Sequence, residues 1–107
     1  MKKYQDIEAV ALFAMLQDKK IYLIDVRNDD EVVRGVLPGA IYITLSSIPT
    51  VDLSTLENET VVFYCHAGIR SAQAAAFVAD QINATVYNLR GGILAWANAG
   101  FGFAQLE

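Results

Sequence analysis

The segment VVFYCHAGIRSAQAAA, residues 61–76, joins an apolar run to an alanine-rich run through a short loop. The apolar run TVVFYC, residues 60–65, is β-branched and aromatic, which is typical of a strand buried on both faces of a sheet. The run RSAQAAAFVADQIN, residues 70–83, has helical character, and alanines at positions 72, 75, 76 and 79 give it a small-residue face. The segment therefore predicts a strand, a tight loop and a helix that lies close against the sheet.

Strands and helices alternate along the rest of the chain as well. Buried strands are predicted for IYLIDV at 21–26 and AIYIT at 40–44, and a weaker strand for TVYNLR at 85–90. Helices are predicted for IEAVALFAMLQD at 7–18, DDEVVRG at 29–35 and GILAWANAG at 92–100, with a turn near STLEN at 54–58. Gly35 and Gly100 stand where helix C-caps favour glycine. This alternation predicts a parallel sheet covered by helices on both faces.

Composition and charge place the chain among compact globular proteins. Its 107 residues fit one domain, 54% of them are hydrophobic, and no apolar span reaches the roughly 18 residues of a membrane helix. The net charge is -4 and lysines and arginines do not cluster, which disfavours nucleic acid as a partner. Asp6 and Glu8 interrupt the N-terminal run before a signal peptide could form, and one cysteine cannot form an internal disulfide. We therefore expect a cytoplasmic protein.

Reactive side chains stand at the carboxyl ends of two predicted strands. Cys65 closes one strand, and Asp25 and Arg27 close another. In an open parallel sheet, ligands bind beyond the carboxyl ends of the strands. Amides of a curled loop and the positive end of the following helix would both favour a thiolate at Cys65. Cys65 is thus a candidate nucleophile aimed at an anion, and the alternative is a buried cysteine that only packs.

Two further residues of the loop have a physical reason to be there. Gly68 would allow a positive φ or a close backbone approach in so tight a loop. Ser71 could either offer its hydroxyl to the thiolate or cap the helix, and both interpretations stay open.

The segment CHAGIRS, residues 65–71, resembles the active-site loop of rhodanese-like domains, the sulfurtransferases. LIDVRNDDE at 23–31, GVLPGAIYI at 35–43 and LRGGILAWANAG at 89–100 resemble three further segments of that family, in the same order. One departure is Val36, where the family often has histidine. The resemblance implies one rhodanese-like domain over residues 1–107, an α/β fold with a central, mostly parallel sheet of about five strands flanked by helices on both faces.

The resemblance also implies a mechanism without a cofactor or a metal. Cys65 would take the outer sulfur of thiosulfate or of a persulfide, hold it as a persulfide, and pass it to cyanide, a thiol or a protein acceptor. Loop amides would stabilise the negative charge, as an oxyanion hole does. The amides implied are those of Ala67, Gly68, Ile69, Arg70 and Ser71. We expect a monomer that contacts neither nucleic acid nor membrane.

The roles of the remaining polar residues are less sharply defined by the sequence. His66 is expected at the rim of the substrate site, because neighbours on a curled loop point in different directions, and a proton-transfer role is the alternative. Arg70 could contact the incoming anion or tie the loop to a carboxylate. Asp25 and Arg27 are expected to form a supporting ion pair, with Glu31 as a further partner of Arg27. Trp96 is expected in the core.

Two rival functions remain. Cysteine phosphatases also hold an anion over a cysteine with loop amides and an arginine, but they place five residues between the two. Cys65 and Arg70 have four residues between them, which favours a smaller cradle. The second rival is a rhodanese-like module that carries sulfur for a partner, or only binds it, without independent turnover.

Overall fold

A five-stranded parallel sheet forms the centre of the computed structural model, which describes residues 3–106. The strand order is β1-β5-β4-β2-β3, and all the pairings between these strands are parallel. The strands are β1 (Gln5–Ile7), β2 (Tyr22–Asp25), β3 (Ile41–Tyr42), β4 (Thr60–Tyr64) and β5 (Thr85–Leu89). The predicted α/β class with a parallel sheet of about five strands is confirmed.

The middle strand, β4, is the most deeply buried part of the chain. It lies between β2 and β5, and its residues from Val61 to Tyr64 have no solvent exposure. Val61 and Phe63 face one side of the sheet, while Val62 and Tyr64 face the other, because side chains alternate along a strand. A strand that is apolar at every position therefore needs cover on both faces.

Helices supply that cover. They are α1 (Ala9–Asp18), α2 (Asp29–Val32), α3 (Ile69–Gln81) and α4 (Gly92–Asn98), and two 3₁₀ segments span Leu45–Thr50 and Leu53–Leu56. On one face, Ala74, Ala75 and Val78 of α3 pack against Val61 and Phe63. On the other face, the core contains side chains from α1 and α4, among them Leu12 and Trp96. Trp96 is 2% exposed, so its predicted place in the core is confirmed.

The structure corrects the predicted boundaries at both edges of the sheet. Ile7, predicted as helical, belongs to β1 and pairs with Leu89, and the helix begins at Ala9. The segment 40–44, predicted as a buried strand, contributes only the two residues of β3. Ile41 is 42% exposed there, because β3 lies at the edge of the sheet.

The position where the family often has histidine is filled by a buried valine. Val36 is 2% exposed and forms an antiparallel bridge with Ala104, with backbone N–H to O distances of 2.9 and 2.8 Å. This bridge holds the C-terminal segment against the turn that follows α2.

No helix within residues 3–106 is long and apolar enough to span a bilayer.

The start of α4 lies directly on the backbone of the cysteine loop. The Ile93 amide donates to the Cys65 carbonyl at 2.9 Å, and the Leu94 amide donates to the His66 carbonyl at 3.3 Å. Gly92 has a φ of +60°, and a Cβ added there would lie 2.5 Å from the Cys65 carbonyl oxygen and closer still to that of His66. Glycine at 92 therefore lets the helix approach the loop.

We expect Gly92→Ala to destabilise the chain more than Gly100→Ala. Both glycines have positive φ, but a Cβ at Gly100 meets nothing within 4 Å. The left-handed backbone alone should lower the free energy of unfolding by about 1–2 kcal/mol in each variant. The backbone clash should lower it by a further ~1–3 kcal/mol in Gly92→Ala only. Urea denaturation of both variants measures the difference, and equal losses would show that the close approach is unimportant.

Candidate active site

A short loop carries the cysteine, and it ends at a glycine in the left-handed conformation, directly before α3. Cys65 directly follows β4, and α3 begins four residues later, at Ile69. Gly68 is the N-cap of α3 and has a φ of +102°, a conformation that residues with a Cβ rarely adopt. The turn brings the first amides of α3 back toward the end of β4, and so toward the Cys65 side chain.

Two backbone amides and one hydroxyl converge on the sulfur of Cys65. The Gly68 amide lies 3.2 Å from Sγ, the Ser71 amide 3.4 Å and the Ser71 hydroxyl 3.3 Å. Burial raises the pKa of the Cys65 thiol, since the side chain is only 1% exposed. Hydrogen bonds from Ser71, Gly68 and Ala67 lower it, and the net result is a pKa below that of an ordinary thiol.

Among the other predicted loop residues, the Ala67 amide adds a further favourable interaction with the sulfur. The side chains of His66, Ala67 and Ile69 are exposed. In the described part of the chain, the amides of Ile69 and Arg70 make no hydrogen bond to Sγ. Ser71 does not cap the helix, because the N-cap is Gly68 and Ser71 lies within the first turn. Its hydroxyl points instead at Cys65 and at Asn88.

Arg70 is tied to a carboxylate. Its Nη1 and Nη2 donate to Oε1 and Oε2 of Glu31 at 2.7 and 2.9 Å, a bidentate pair that joins α3 to α2. Glu31 also accepts from the Asn28 amide at 3.0 Å, as the third residue of the capping box of α2. The predicted Arg27–Glu31 pair is therefore wrong: the Glu31 carboxylate is turned toward Arg70 and Asn28.

Arg27 pairs with Asp25 instead. Its Nε and Nη2 donate to the Asp25 carboxylate at 3.0 and 2.8 Å, and Nη2 also donates to the Gly35 carbonyl at 2.7 Å. Both side chains are almost fully buried. The pair fixes the end of β2 against the turn after α2, which is a supporting role.

His66 stands at the mouth of a cavity of about 370 Å³ next to the loop. The cavity lies between α4 and the turn after α2, and its lining includes Arg34, Gly35, Ile93, Leu94 and Phe103. No hydrogen bond joins His66 to Cys65 within residues 3–106, and its exposed side chain lies at the rim. Within residues 3–106, no group of three or more His, Cys, Asp or Glu side chains is arranged to bind a metal ion.

Asn88 is the site residue that sequence reasoning missed. It lies near the end of β5, is 5% exposed, and its side-chain oxygen is 2.5 Å from the Ser71 hydroxyl. Its side-chain nitrogen donates to the Gly68 carbonyl at 3.3 Å and to Asp6 at 3.2 Å. The available signal was one amide side chain inside the strand run TVYNLR.

We expect Glu31→Gln to weaken the chain at neutral pH but not in strong acid. Hydrogen bonds from Arg70 lower the pKa of Glu31 from 4.5 to about 2. A carboxylate with a lowered pKa stabilises the fold above its ordinary pKa, and this contribution is lost as the pH falls toward 2. At pH 7 the loss should be roughly 1–2 kcal/mol, since the pair is partly exposed.

Urea denaturation between pH 7 and pH 2 tests this, with Glu59→Gln as the matched control. Glu59 is partly exposed and lies outside the loop and α2. The difference between Glu31→Gln and the native chain should close in acid, whereas Glu59→Gln should track the native chain throughout. A pH-independent difference would mean that the charge of Glu31 does not matter.

Comparison with known proteins gives one consistent family. The model of the rhodanese-like domain family matches residues 8–99. A sulfurtransferase of Allochromatium vinosum is 36% identical over 96 residues, which cover 89% of this chain and 90% of the relative. A putative sulfurtransferase of Bacillus subtilis is 37% identical over 94 residues, covering 86% of this chain and 89% of the relative.

Solved structures agree with the family match. A rhodanese-like domain protein from Staphylococcus aureus superposes with a TM-score of 0.77 at 28% identity, covering 96% of this chain and 99% of that one. A Rhodopseudomonas palustris protein of unknown function, described as a possible tyrosine phosphatase, gives a TM-score of 0.83 at 26% identity, covering 94% and 85%. Because the family model matches most of this chain and two relatives are more than 30% identical to it, the chain belongs to the rhodanese-like domain family.

Proposed function

We propose that the chain is a sulfurtransferase that moves sulfane sulfur from thiosulfate or a persulfide to cyanide or a thiol through a persulfide on Cys65. The observation that carries the proposal is the convergence of the Gly68 amide and the Ser71 amide and hydroxyl on Sγ. The two sulfurtransferase relatives support the same reaction class, because the match covers most of their length.

The loading step needs a thiolate and no acid catalyst. The Cys65 thiolate attacks the outer sulfur of thiosulfate, and a bond forms between Sγ and that sulfur. The bond to the central sulfur breaks, and its electron pair leaves with sulfite. Because sulfite leaves as an anion, no proton has to be delivered, which is consistent with His66 lying at the rim instead of in a proton-transfer pair.

The transferred sulfur would then carry the negative charge. Loop amides from Ala67 to Ser71 would stabilise it in the persulfide, together with the positive end of α3. In the second step, cyanide or a thiolate attacks the outer sulfur, and the electron pair of the broken S–S bond returns to Sγ. The cycle therefore begins and ends with a Cys65 thiolate.

The nearby ionic pairs contribute little net charge to the site. Arg27 is neutralised by Asp25 and Arg70 by Glu31. Attraction for an anionic donor would therefore come mainly from backbone amides, the end of α3, and Arg34 at the cavity. Such a field stabilises one negatively charged sulfur without binding a whole phosphate tightly.

The sulfur-carrier module remains the alternative, and the similarity to a possible tyrosine phosphatase keeps the phosphatase as a second candidate. Against the phosphatase, four residues separate Cys65 from Arg70, and the donors close around Sγ itself. The Arg70 guanidinium is also engaged by Glu31 and so is not directed at a phosphate.

We expect thiosulfate to load one sulfur atom onto the protein. Intact mass spectrometry after incubation should show a gain of one sulfur, which cyanide removes as thiocyanate. Cys65→Ser should show no gain, and Cys65 is the only cysteine in the chain. If neither thiosulfate nor a small persulfide forms an adduct, the sulfurtransferase proposal is overturned. Loading only from a protein persulfide would favour the carrier module.

We expect the native loop to transfer sulfur from thiosulfate and to leave aryl phosphates essentially untouched. Inserting one glycine after Gly68 should widen the cradle and weaken sulfur transfer, because the amides would move away from Sγ. Steady-state rates of the two proteins with both substrates measure this. If the native chain hydrolyses an aryl phosphate faster than it transfers sulfur, the phosphatase replaces the sulfurtransferase as the proposed function.

A further inference from the structure

Asn88 reaches the cysteine loop from the neighbouring strand. It is aligned with Phe63 of β4, two residues before Cys65, so its side chain lies at the carboxyl end of the sheet. Asn88 is 5% exposed and Ser71 is fully buried. Water is therefore a poor substitute for any hydrogen bond that these two side chains lose.

The orientation of the Asn88 amide is fixed by its other contacts. Its Nδ2 is 3.3 Å from the Gly68 carbonyl and 3.2 Å from a carboxylate oxygen of Asp6. Both of these atoms only accept hydrogen bonds, so a flipped amide would place three acceptors together. The side-chain oxygen must then be the atom that faces Ser71, at 2.5 Å.

This leaves the Ser71 hydroxyl with one proton for two neighbours. The Asn88 oxygen can only accept, so the short contact takes the hydroxyl proton. Toward Sγ, 3.3 Å away, the hydroxyl then presents a lone pair. That arrangement suits a thiol, whose S–H can donate to the Ser71 oxygen. A thiolate needs the proton turned toward sulfur, which leaves the buried Asn88 oxygen without its donor.

We propose that Asn88 is a positioning residue that competes with Cys65 for the Ser71 hydroxyl proton and so disfavours the free thiolate relative to the thiol and the persulfide. In the persulfide the negative charge lies mainly on the outer sulfur, so Sγ no longer requires the proton and the Ser71–Asn88 hydrogen bond can return. The role rests on the proposed thiolate chemistry of Cys65.

The other charged groups near Cys65 do not depend on Asn88, with one exception. Arg70 is paired with Glu31, Arg27 is paired with Asp25, and His66 follows Cys65 in the chain. Asp6, on β1, is the exception because it accepts from Asn88 directly. A test must therefore separate the hydroxyl proton from a change in the field of Asp6.

The test is a double-mutant cycle on the pH dependence of Cys65 alkylation by iodoacetamide, which reports on Cys65 alone because the chain has one cysteine. The native apparent pKa should lie below about 8.5. Asn88→Ala should lower it by about 0.5–1 unit, a threefold to tenfold gain in thiolate, and Ser71→Ala should raise it. In the Ser71→Ala background, Asn88→Ala should change nothing, since the competition has been removed.

The cycle distinguishes competition for the Ser71 hydroxyl proton from a changed electrostatic effect of Asp6 and from a loosened loop. A shift of equal size in both backgrounds, or a rise with Asn88→Ala, overturns the proposal. Should Asn88→Ala fail to fold, Asn88→Asp retains the acceptor and adds negative charge, and it should raise the pKa above the native value. A lower value in that variant likewise overturns it.

A kinetic readout links the same residue to sulfur transfer. When cyanide attacks the outer sulfur, the S–S bond breaks and its electron pair goes to Sγ, so the leaving group is the Cys65 thiolate. Asn88→Ala should release sulfur to cyanide severalfold faster, because the freed Ser71 proton stabilises that leaving group. Alkylation needs no sulfur donor, so failure to load sulfur would reject the proposed function while leaving the pKa cycle to decide the role of Asn88.

Discussion

A buried thiolate is tolerated only where polar hydrogens converge on it, and this constraint organises the structure around Cys65. The sulfur is almost fully enclosed at the end of the most buried strand, where an unpaired charge would be strongly disfavoured. Compensation comes from the first turn of α3, which the left-handed Gly68 directs back onto β4. Three features hold that turn in place: the packing of Ala74 and Ala75 of α3 on β4, the close approach of α4 at Gly92, and the amide of Asn88.

Two ion pairs lie near Cys65, and they mainly hold neighbouring elements of the fold together. Asp25–Arg27 fixes the end of β2 to the turn after α2, and Glu31–Arg70 fixes α2 to α3. Because each of these cations has its own carboxylate, the groups that most favour a negative charge on the sulfur are the Ser71 hydroxyl and the amides of Ser71, Gly68 and Ala67. The amides among these donors are held rigidly by the loop and the helix, and in the proposed sulfur transfer they would need little reorganisation when charge moves from Sγ to the outer sulfur.

Local patterns in the sequence predicted the parts of this structure that are determined locally. The apolar runs gave β2 and β4, and the strand–loop–helix order placed Cys65 at the end of β4. β1 was missed because Gln5 and Asp6 break any apolar run, and its pairing with β5 depends on residues more than 80 positions away. Glu31 was assigned to Arg27 by helical spacing, whereas its partner Arg70 lies 39 residues away. Asn88 escaped notice for the same reason, since its importance lies in contacts between strands and the loop.

The short edge strands of the sheet affect how separate copies of the chain meet. β1 has three residues and β3 has two, whereas the inner strands have four or five. An exposed strand edge is a template for pairing with another sheet, and its strength grows with the number of peptide groups that it offers in register. Edge strands of two or three residues offer few backbone hydrogen-bonding groups to an incoming strand. Short edge strands therefore limit edge-to-edge pairing between copies of this domain.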